Sequence, residues 1–361
     1  MFRMEMKSMK ILMIDTDLEG HHMAYLNEII NGCDAEFTLV LPKTTEAFTG
    51  SQIITYHPID FDKKKFIPFI HWMKELSEIA EKEQPDLIHF LMGDVFYKYF
   101  GIGLSLFKKY KTVITLHWIR PGKLQHISLF SFCKKVDAVV VHSSYLLEEL
   151  QKLDIHNGVH IEYPQFKRPS NIQVDEAKQY WKLSPGKPVV LALGSTRPDK
   201  GVDILINALN NVHRPFQLLI AGKPEKFDEV YIEEHTQKYA SQVVTALRYL
   251  TDKEVELAVV AADIIVLPYK YSFNGASGPL GEGVCQEKCI IGSGHGNLGA
   301  TIQENHLGYV FQTENSDDLA RVINDALEKQ PFYPDLKYRL YKSSLNPALF
   351  VKSYNNLYKN M

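Results

Sequence analysis

Val189-Val190-Leu191-Ala192-Leu193-Gly194-Ser195-Thr196-Arg197-Pro198-Asp199-Lys200-Gly201 opens the part of the chain that decides its fold. Five apolar residues read as a buried parallel strand, the Gly- and Pro-containing segment after them as a turn, and residues 202–209 as a helix. In an open α/β sheet, ligands gather at the carboxyl ends of strands, where helix N-termini present unused N–H groups to anions. Arg197 and Lys200 fall in such a loop. A planar guanidinium fork and an ammonium point charge together suit a diphosphate, while two solvated surface cations remain the plain alternative.

A second strand-loop-helix unit follows at Ala262-Asp263-Ile264-Ile265-Val266-Leu267-Pro268-Tyr269 and closes on Ser277-Gly278-Pro279-Leu280-Gly281-Glu282. Pro279 suits a first helical position, where a missing N–H costs nothing. Glu282 then stands one turn in, on the side of Gly278. A carboxylate there can accept from the two vicinal hydroxyls of a ribose, or it can merely complement the helix dipole.

With these residues in place, the chain resembles the family 4 retaining glycosyltransferases of the GT-B fold. The resemblance rests on Gly194 to Gly201, Pro268-Tyr269, Ser277-Gly278, Glu282 and Lys288-Cys289-Ile290-Ile291-Gly292-Ser293, and covers about residues 10–330. It implies an α/β fold of two Rossmann-like doubly wound parallel-sheet domains facing a cleft. It further implies a nucleoside-diphosphate sugar as co-substrate with no cofactor and no metal, and a glycan or lipid-linked acceptor in surface polysaccharide or glycolipid synthesis. By the same resemblance Arg197, Lys200 and His117 are the expected catalytic residues. Gly20, His21, Gly194, Asn274, Ser277, Gly278 and Glu282 are the expected donor-binding ones. Many family members carry a second glutamate eight positions before the first; here that position is Asn274. A catalytically silent nucleotide-sugar binder is therefore the alternative.

Composition sets the outer limits. The 361 residues, 45% hydrophobic and 23% charged, supply two cores of ordinary globular size, and a net charge of -3 gives no footprint for nucleic acid. Residues 1–7 lack the apolar core of a signal peptide, so a cytoplasmic location is the expectation. Cys285 and Cys289 with His295 lack an evident fourth zinc ligand and read as buried small hydrophobes.

Alternating apolar runs and amphipathic stretches divide the chain into residues 1–165, an acceptor-side Rossmann-like domain, residues 166–340, a nucleotide-sugar domain, and residues 341–361, a helical tail returning towards the first. The first strand, at residues 10–15, leads through Gly20, His21 and His22 into a helix. Strands at 37–41, 53–56, 87–91, 112–117 and 138–142 follow. His117 ends one of them and can hydrogen-bond a sugar hydroxyl, or it can be structural. The stretch 158–174 reads as a linker. In the second domain strands are expected at 217–221, 243–247, 263–267 and 289–291, with a final helix at 347–359.

Two local features remain. Residues 95–136 hold eight Lys or Arg (Lys98, Lys108, Lys109, Lys111, Arg120, Lys123, Lys134, Lys135), no acid, and interleaved aromatics including Tyr97, Phe100, Phe107, Trp118 and Phe132. Cations with aromatic anchors suit an anionic membrane surface and a peripheral position on the inner face of a membrane; a solvated face above core aromatics is the other reading. Gly294-His295-Gly296-Asn297-Leu298-Gly299 matches Gly-x-Gly-x-x-Gly, but it follows a late strand, whereas a dinucleotide fingerprint opens the first strand of its sheet. An NAD-dependent enzyme is accordingly the weaker alternative.

Overall fold

The computed structural model describes residues 8–16, 22–41, 53–58, 65–93, 97–120, 122–166, 171–273 and 275–361. The chain divides into two compact units. Unit 1 comprises Met1–Phe166 and Asn346–Met361, and unit 2 comprises Lys167–Leu345.

Unit 1 holds the strands β1 Met9–Ile14, β2 Ala35–Leu41, β3 Ile53–Pro58, β4 Leu87–Phe90, β5 Lys111–Leu116, β6 Ala138–Val141 and β7 Gly158–His160. They form one parallel sheet in the order β3-β2-β1-β4-β5-β6-β7. Strands β1, β2, β4, β5 and β6 are buried on both faces, as a sheet covered on both sides requires. Leu12 and Ile14 point into a core with Phe69, Met73, Phe100, Phe107 and Phe132. Ile11 and Met13 point the other way, towards Leu26, Ile29, Phe350 and Tyr354. The stretch beginning at residue 158, expected as linker, first contributes the edge strand β7, paired with β6 from Val139↔Gly158 to Val141↔His160.

Among the described aromatics of residues 95–136, none is fully exposed, and Tyr99, Tyr110, Trp118 and Phe130 are half-buried. Tyr97, Phe100, Phe107 and Phe132 are buried beneath the helices Phe66–Glu83 and Lys123–Cys133. Large rings gain more from desolvation than any surface contact returns, and the alternation of aromatic with basic residues marks helix sides.

The helix Pro347–Lys359 completes unit 1 from the far end of the chain. Asn346 caps it, Pro347 occupies the first turn, and Phe350, Tyr354 and Tyr358 share one buried face at a four-residue spacing. Tyr354 meets the hydroxyl of Tyr25 and lies 3.3 Å from Thr115 Oγ1. Tyr358 Oη is 2.8 Å from His89 Nδ1, and His89 Nε2 is 2.8 Å from Thr115 Oγ1. Every member of this buried polar set has a partner, the condition under which such a set stabilises rather than weakens a core.

Unit 2 carries β8 Val189–Leu193, β9 Gln217–Gly222, β10 Val243–Leu247, β11 Ile264–Leu267, β12 Cys289–Ser293 and β13 Gly308–Phe311, all parallel in the order β10-β9-β8-β11-β12-β13. Counted from β8 this is the 3-2-1-4-5-6 order of a doubly wound sheet, and its direction reverses between β8 and β11. The helix Leu336–Ser344 stays with unit 2 before the chain returns at Asn346.

Burial, and next to it His142, lowers the His89 pKa from 6.5 to about 3. The unfolded chain thus binds a proton that the folded one refuses as pH falls below 6.5, so stability declines from 6.5 towards 3. His89 alone should contribute up to about 1.4 kcal/mol per pH unit in that window. Urea unfolding at pH 7 and pH 5 should show the loss, and His89→Gln should flatten the slope.

Candidate functional site

The loops after β8 and β11 meet at the carboxyl ends of the two strands where the sheet of unit 2 changes direction. Gly201 permits this meeting, and Gly222, at the end of β9, permits the close approach of β9 to Gly194. Gly201 has φ 65°, and a Cβ there would lie 1.8 Å from the Pro268 carbonyl oxygen. A Cβ on Gly222 would lie 2.0 Å from the Gly194 oxygen. The loops are also tied by Lys270 N–H donating to Asp199 O at 2.9 Å. Only residues without side chains fit at this spacing.

Lys200 sits inside the junction. Its Nζ lies 3.8 Å from the centroid of the Tyr269 ring and 3.9 Å from that of Phe273, a cation held on two aromatic faces. No carboxylate pairs with it among the described residues. Burial, then the neighbouring Arg197 charge, lowers its pKa to about 7, with Asp199 opposing. This is an ammonium without a counter-ion at the place where a doubly wound sheet receives ligands.

Arg197 is placed differently from the sequence expectation. Its fork is already engaged: Nε and one terminal nitrogen donate to the two carboxylate oxygens of Asp199 at 3.0 and 2.9 Å. Burial by itself raises the Asp199 carboxyl, but the Arg197 guanidinium outweighs it and the net shift is downward. A bidentate pair two residues apart fixes the guanidinium plane, so Arg197 meets a ligand as a preset dipole and charge. Asp199 was not singled out from the sequence; an acid two positions after an Arg in a tight turn was the signal for it.

Tyr269 links the junction to the second helix. Its hydroxyl is 3.0 Å from Ser277 Oγ, and Ser277 caps the helix Gly278–Cys285 by accepting from Leu280 N–H. Burial pushes the Tyr269 phenol up to about 12, so it remains neutral. An ideal Cβ on Gly194 would come 4.0 Å from Pro279 Cγ, and the space about Gly278 is open. Gly194, Arg197, Lys200, Ser277 and Gly278 are therefore brought together. Gly283 lets this helix lie on the sheet, since a Cβ there would strike Ile265 at 2.5 Å and Ile290 at 2.7 Å.

Glu282 lies half-buried a turn further along, on the side of Cys285, whose thiol is pushed up to about 11 by burial and then by Glu282. Cys289 is buried in β12 and its thiol is pushed up to about 12. His295 is occupied otherwise: Nδ1 is 3.0 Å from Thr313 Oγ1 and Nε2 is 3.3 Å from the Phe273 oxygen. In the Gly-rich loop, a Cβ on Gly299 would lie 2.4 Å from the Gly294 carbonyl carbon, so this glycine serves close approach of helix to strand.

In unit 1, His117 follows β5 with Nε2 3.2 Å from the Leu91 oxygen and its ring 4.9 Å from that of His142. A carbonyl only accepts, so Nε2 carries the proton in that contact. Gly20, His21 and Asn274 lie outside the described residues. A cavity of about 250 Å³ beside the junction is lined by Asp203, Ile204, Asn207, Lys270, Glu314 and Ser316. A larger one, about 460 Å³ against β13, holds none of the residues expected from the sequence.

The two doubly wound units are those of the GT-B fold. Glycosyltransferase from Rickettsia africae superposes with TM-score 0.74 at 17% identity over 98% of both chains. Anabaena Alr3699/HepE, solved in complex with UDP, gives TM-score 0.76 at 14% identity over 98% of this chain and 100% of its own. Residues 173–343, within unit 2, match the family model Glycosyl transferases group 1. A GDP-mannose:glycolipid 4-beta-D-mannosyltransferase of Xanthomonas campestris pv. campestris is 28% identical over 137 residues, spanning 38% of this chain and 38% of its own length. No helix among the described residues is long and apolar enough to cross a membrane.

An anion bound at Lys200 raises its pKa from about 7, so binding above that pH takes up a proton. Nucleoside-diphosphate affinity should fall by up to about tenfold per pH unit above 7. Calorimetric titration with UDP and GDP from pH 6 to 9 measures it. Lys200→Met should bind more weakly and lose the dependence.

Proposed function

We propose that this chain is a retaining glycosyltransferase that moves a hexosyl group from a nucleoside-diphosphate sugar to an acceptor hydroxyl, in surface polysaccharide or glycolipid synthesis. The observation that carries the proposal is the counter-ion-free Lys200 ammonium beside the fixed Arg197–Asp199 pair, at the strand ends where the loops converge. The group 1 match of unit 2 and the UDP complex of Alr3699/HepE support a nucleotide-sugar donor.

In this mechanism unit 2 holds the donor. Negative charge grows on the diphosphate as the anomeric bond breaks, so Lys200, Arg197 and the Gly278 N–H stabilise the transition state more than the ground state. Fixed cations carry this charge, and the reaction calls on no divalent ion. Glu282 accepts from the ribose hydroxyls. Unit 1 receives the acceptor. A diphosphate oxygen takes the acceptor proton on the face the leaving group departs from, which keeps the anomeric configuration.

The matched mannosyltransferase is named for a β linkage. A β product from an α-linked donor means inversion, and inversion calls on a general base. The Asp15–His22 pair at the end of β1, 3.0 Å between Asp15 Oδ2 and His22 Nδ1, has the make-up of one. The anomeric configuration of the product, read by NMR coupling, decides between the two: α supports retention and β overturns it.

Arg197→Ala and Lys200→Ala should each lower kcat by about 10²–10³, or ~2.7–4 kcal/mol, the usual cost of losing one charge-stabilising donor. Steady-state transfer with a matched donor checks this alongside a melting curve. Activity within twofold of the parent would remove both from the chemistry.

A further inference from the structure

We infer that unit 1 docks on an anionic phospholipid surface through the outer side of the helix Lys123–Cys133 and the adjoining segment 100–107. The inference stands on unit 1 alone and does not require the sugar-transfer reading. On the helix, Leu124, Ile127, Ser131 and Lys134–Lys135 recur at three- and four-residue steps and form one exposed stripe. Leu124 is 78% exposed and Ile127 65%. Alongside, Ile102 and Leu106 stand one turn apart, both exposed, and Phe66 and Ile67 expose the start of the helix Phe66–Glu83.

These pieces adjoin. A Cβ on Gly101 would lie 2.9 Å from Ser131 Oγ, and one on Gly103 would lie 2.7 Å from Met73. Lys135 Nζ donates to Ser105 Oγ at 3.1 Å, and the Phe66 and Tyr99 rings are 5.0 Å apart. Six large apolar side chains thus face solvent on neighbouring segments, more than scattered surface exposure explains.

Charge selects the occupant. Lys98, Lys108, Lys123 and Lys134 have no carboxylate partner among the described residues, whereas Lys109 pairs with Glu81 and Lys111 with Asp137, away from the stripe. Lys98 rests on the Tyr99 ring and Lys134 on Phe130, which leaves both ammonium groups uncompensated. Arg120, one turn before Leu124, lies between Tyr97 and Trp118 at 5.4 and 5.3 Å. Its Nε is buried without an acceptor. Apolar side chains set among unpaired cations match the boundary between acyl chains and phosphate headgroups.

Co-sedimentation of the full chain with vesicles tests it, since that readout needs neither donor nor acceptor. Vesicles of equal parts phosphatidylcholine and phosphatidylglycerol should bind at least about tenfold more protein than pure phosphatidylcholine, and high salt should abolish the difference. Leu124→Ser/Ile127→Ser should lower anionic-vesicle binding about tenfold with the melting temperature unchanged. Lys123→Glu/Lys134→Glu, both exposed positions, should do the same and covers the case in which the first variant folds poorly. Equal binding to the two vesicle types, or parental binding by both variants, overturns the inference.

Discussion

Everything at the site of unit 2 depends on the backbone of Gly201 lying against the carbonyl of Pro268. A single methyl group would come within 1.8 Å of that oxygen. The contact lets the turn after β8 nest against the turn after β11, and so brings Lys200 onto two rings supplied by the other loop. Burial against these rings strips the ammonium of water and, with the neighbouring Arg197 charge, lowers its pKa to about 7.

Unit 1 uses buried polar groups in the opposite way. His89, Thr115, Tyr25, Tyr354 and Tyr358 are fully enclosed, and each finds a partner within the set. His89 is kept neutral and the tyrosines protonated, so the set is a lattice of neutral donors and acceptors. It carries no uncompensated charge, whereas Lys200 carries one. A satisfied network specifies a structure, and an unsatisfied ion awaits a ligand.

Much of this was legible in the residues. Strands β8, β9 and β11 announce themselves as short apolar runs bounded by Gly or Pro, and the helix Pro347–Lys359 by its Asn-Pro start and its aromatic spacing. Strand β13 did not, because Gly308-Tyr309-Val310-Phe311 is too short for a period to show. The helix Lys123–Cys133 was hidden because apolar residues occupy both its buried and its exposed sides, leaving no amphipathic contrast. At the site, the loop, Lys200 and the capped helix could be read locally. The aromatic seat of Lys200 could not, since Tyr269 and Phe273 lie some seventy positions along and only folding sets them there. The Arg197–Asp199 pairing was within reach locally, yet two residues of opposite sign in a turn do not reveal whether they face each other.

The return of residues 346–361 to unit 1 bears on how the polypeptide comes off the ribosome. Unit 2 is one uninterrupted segment and has all its parts once Leu345 has emerged. Unit 1, though begun first, lacks Phe350, Tyr354 and Tyr358 until unit 2 has been made, and the contact between Tyr25 and Tyr354 closes a loop of 329 residues. The order of synthesis and the order of completion are therefore reversed. The apolar side of the first sheet waits, uncovered, through the making of an entire second half, and chaperone demand during translation falls on the amino-terminal part.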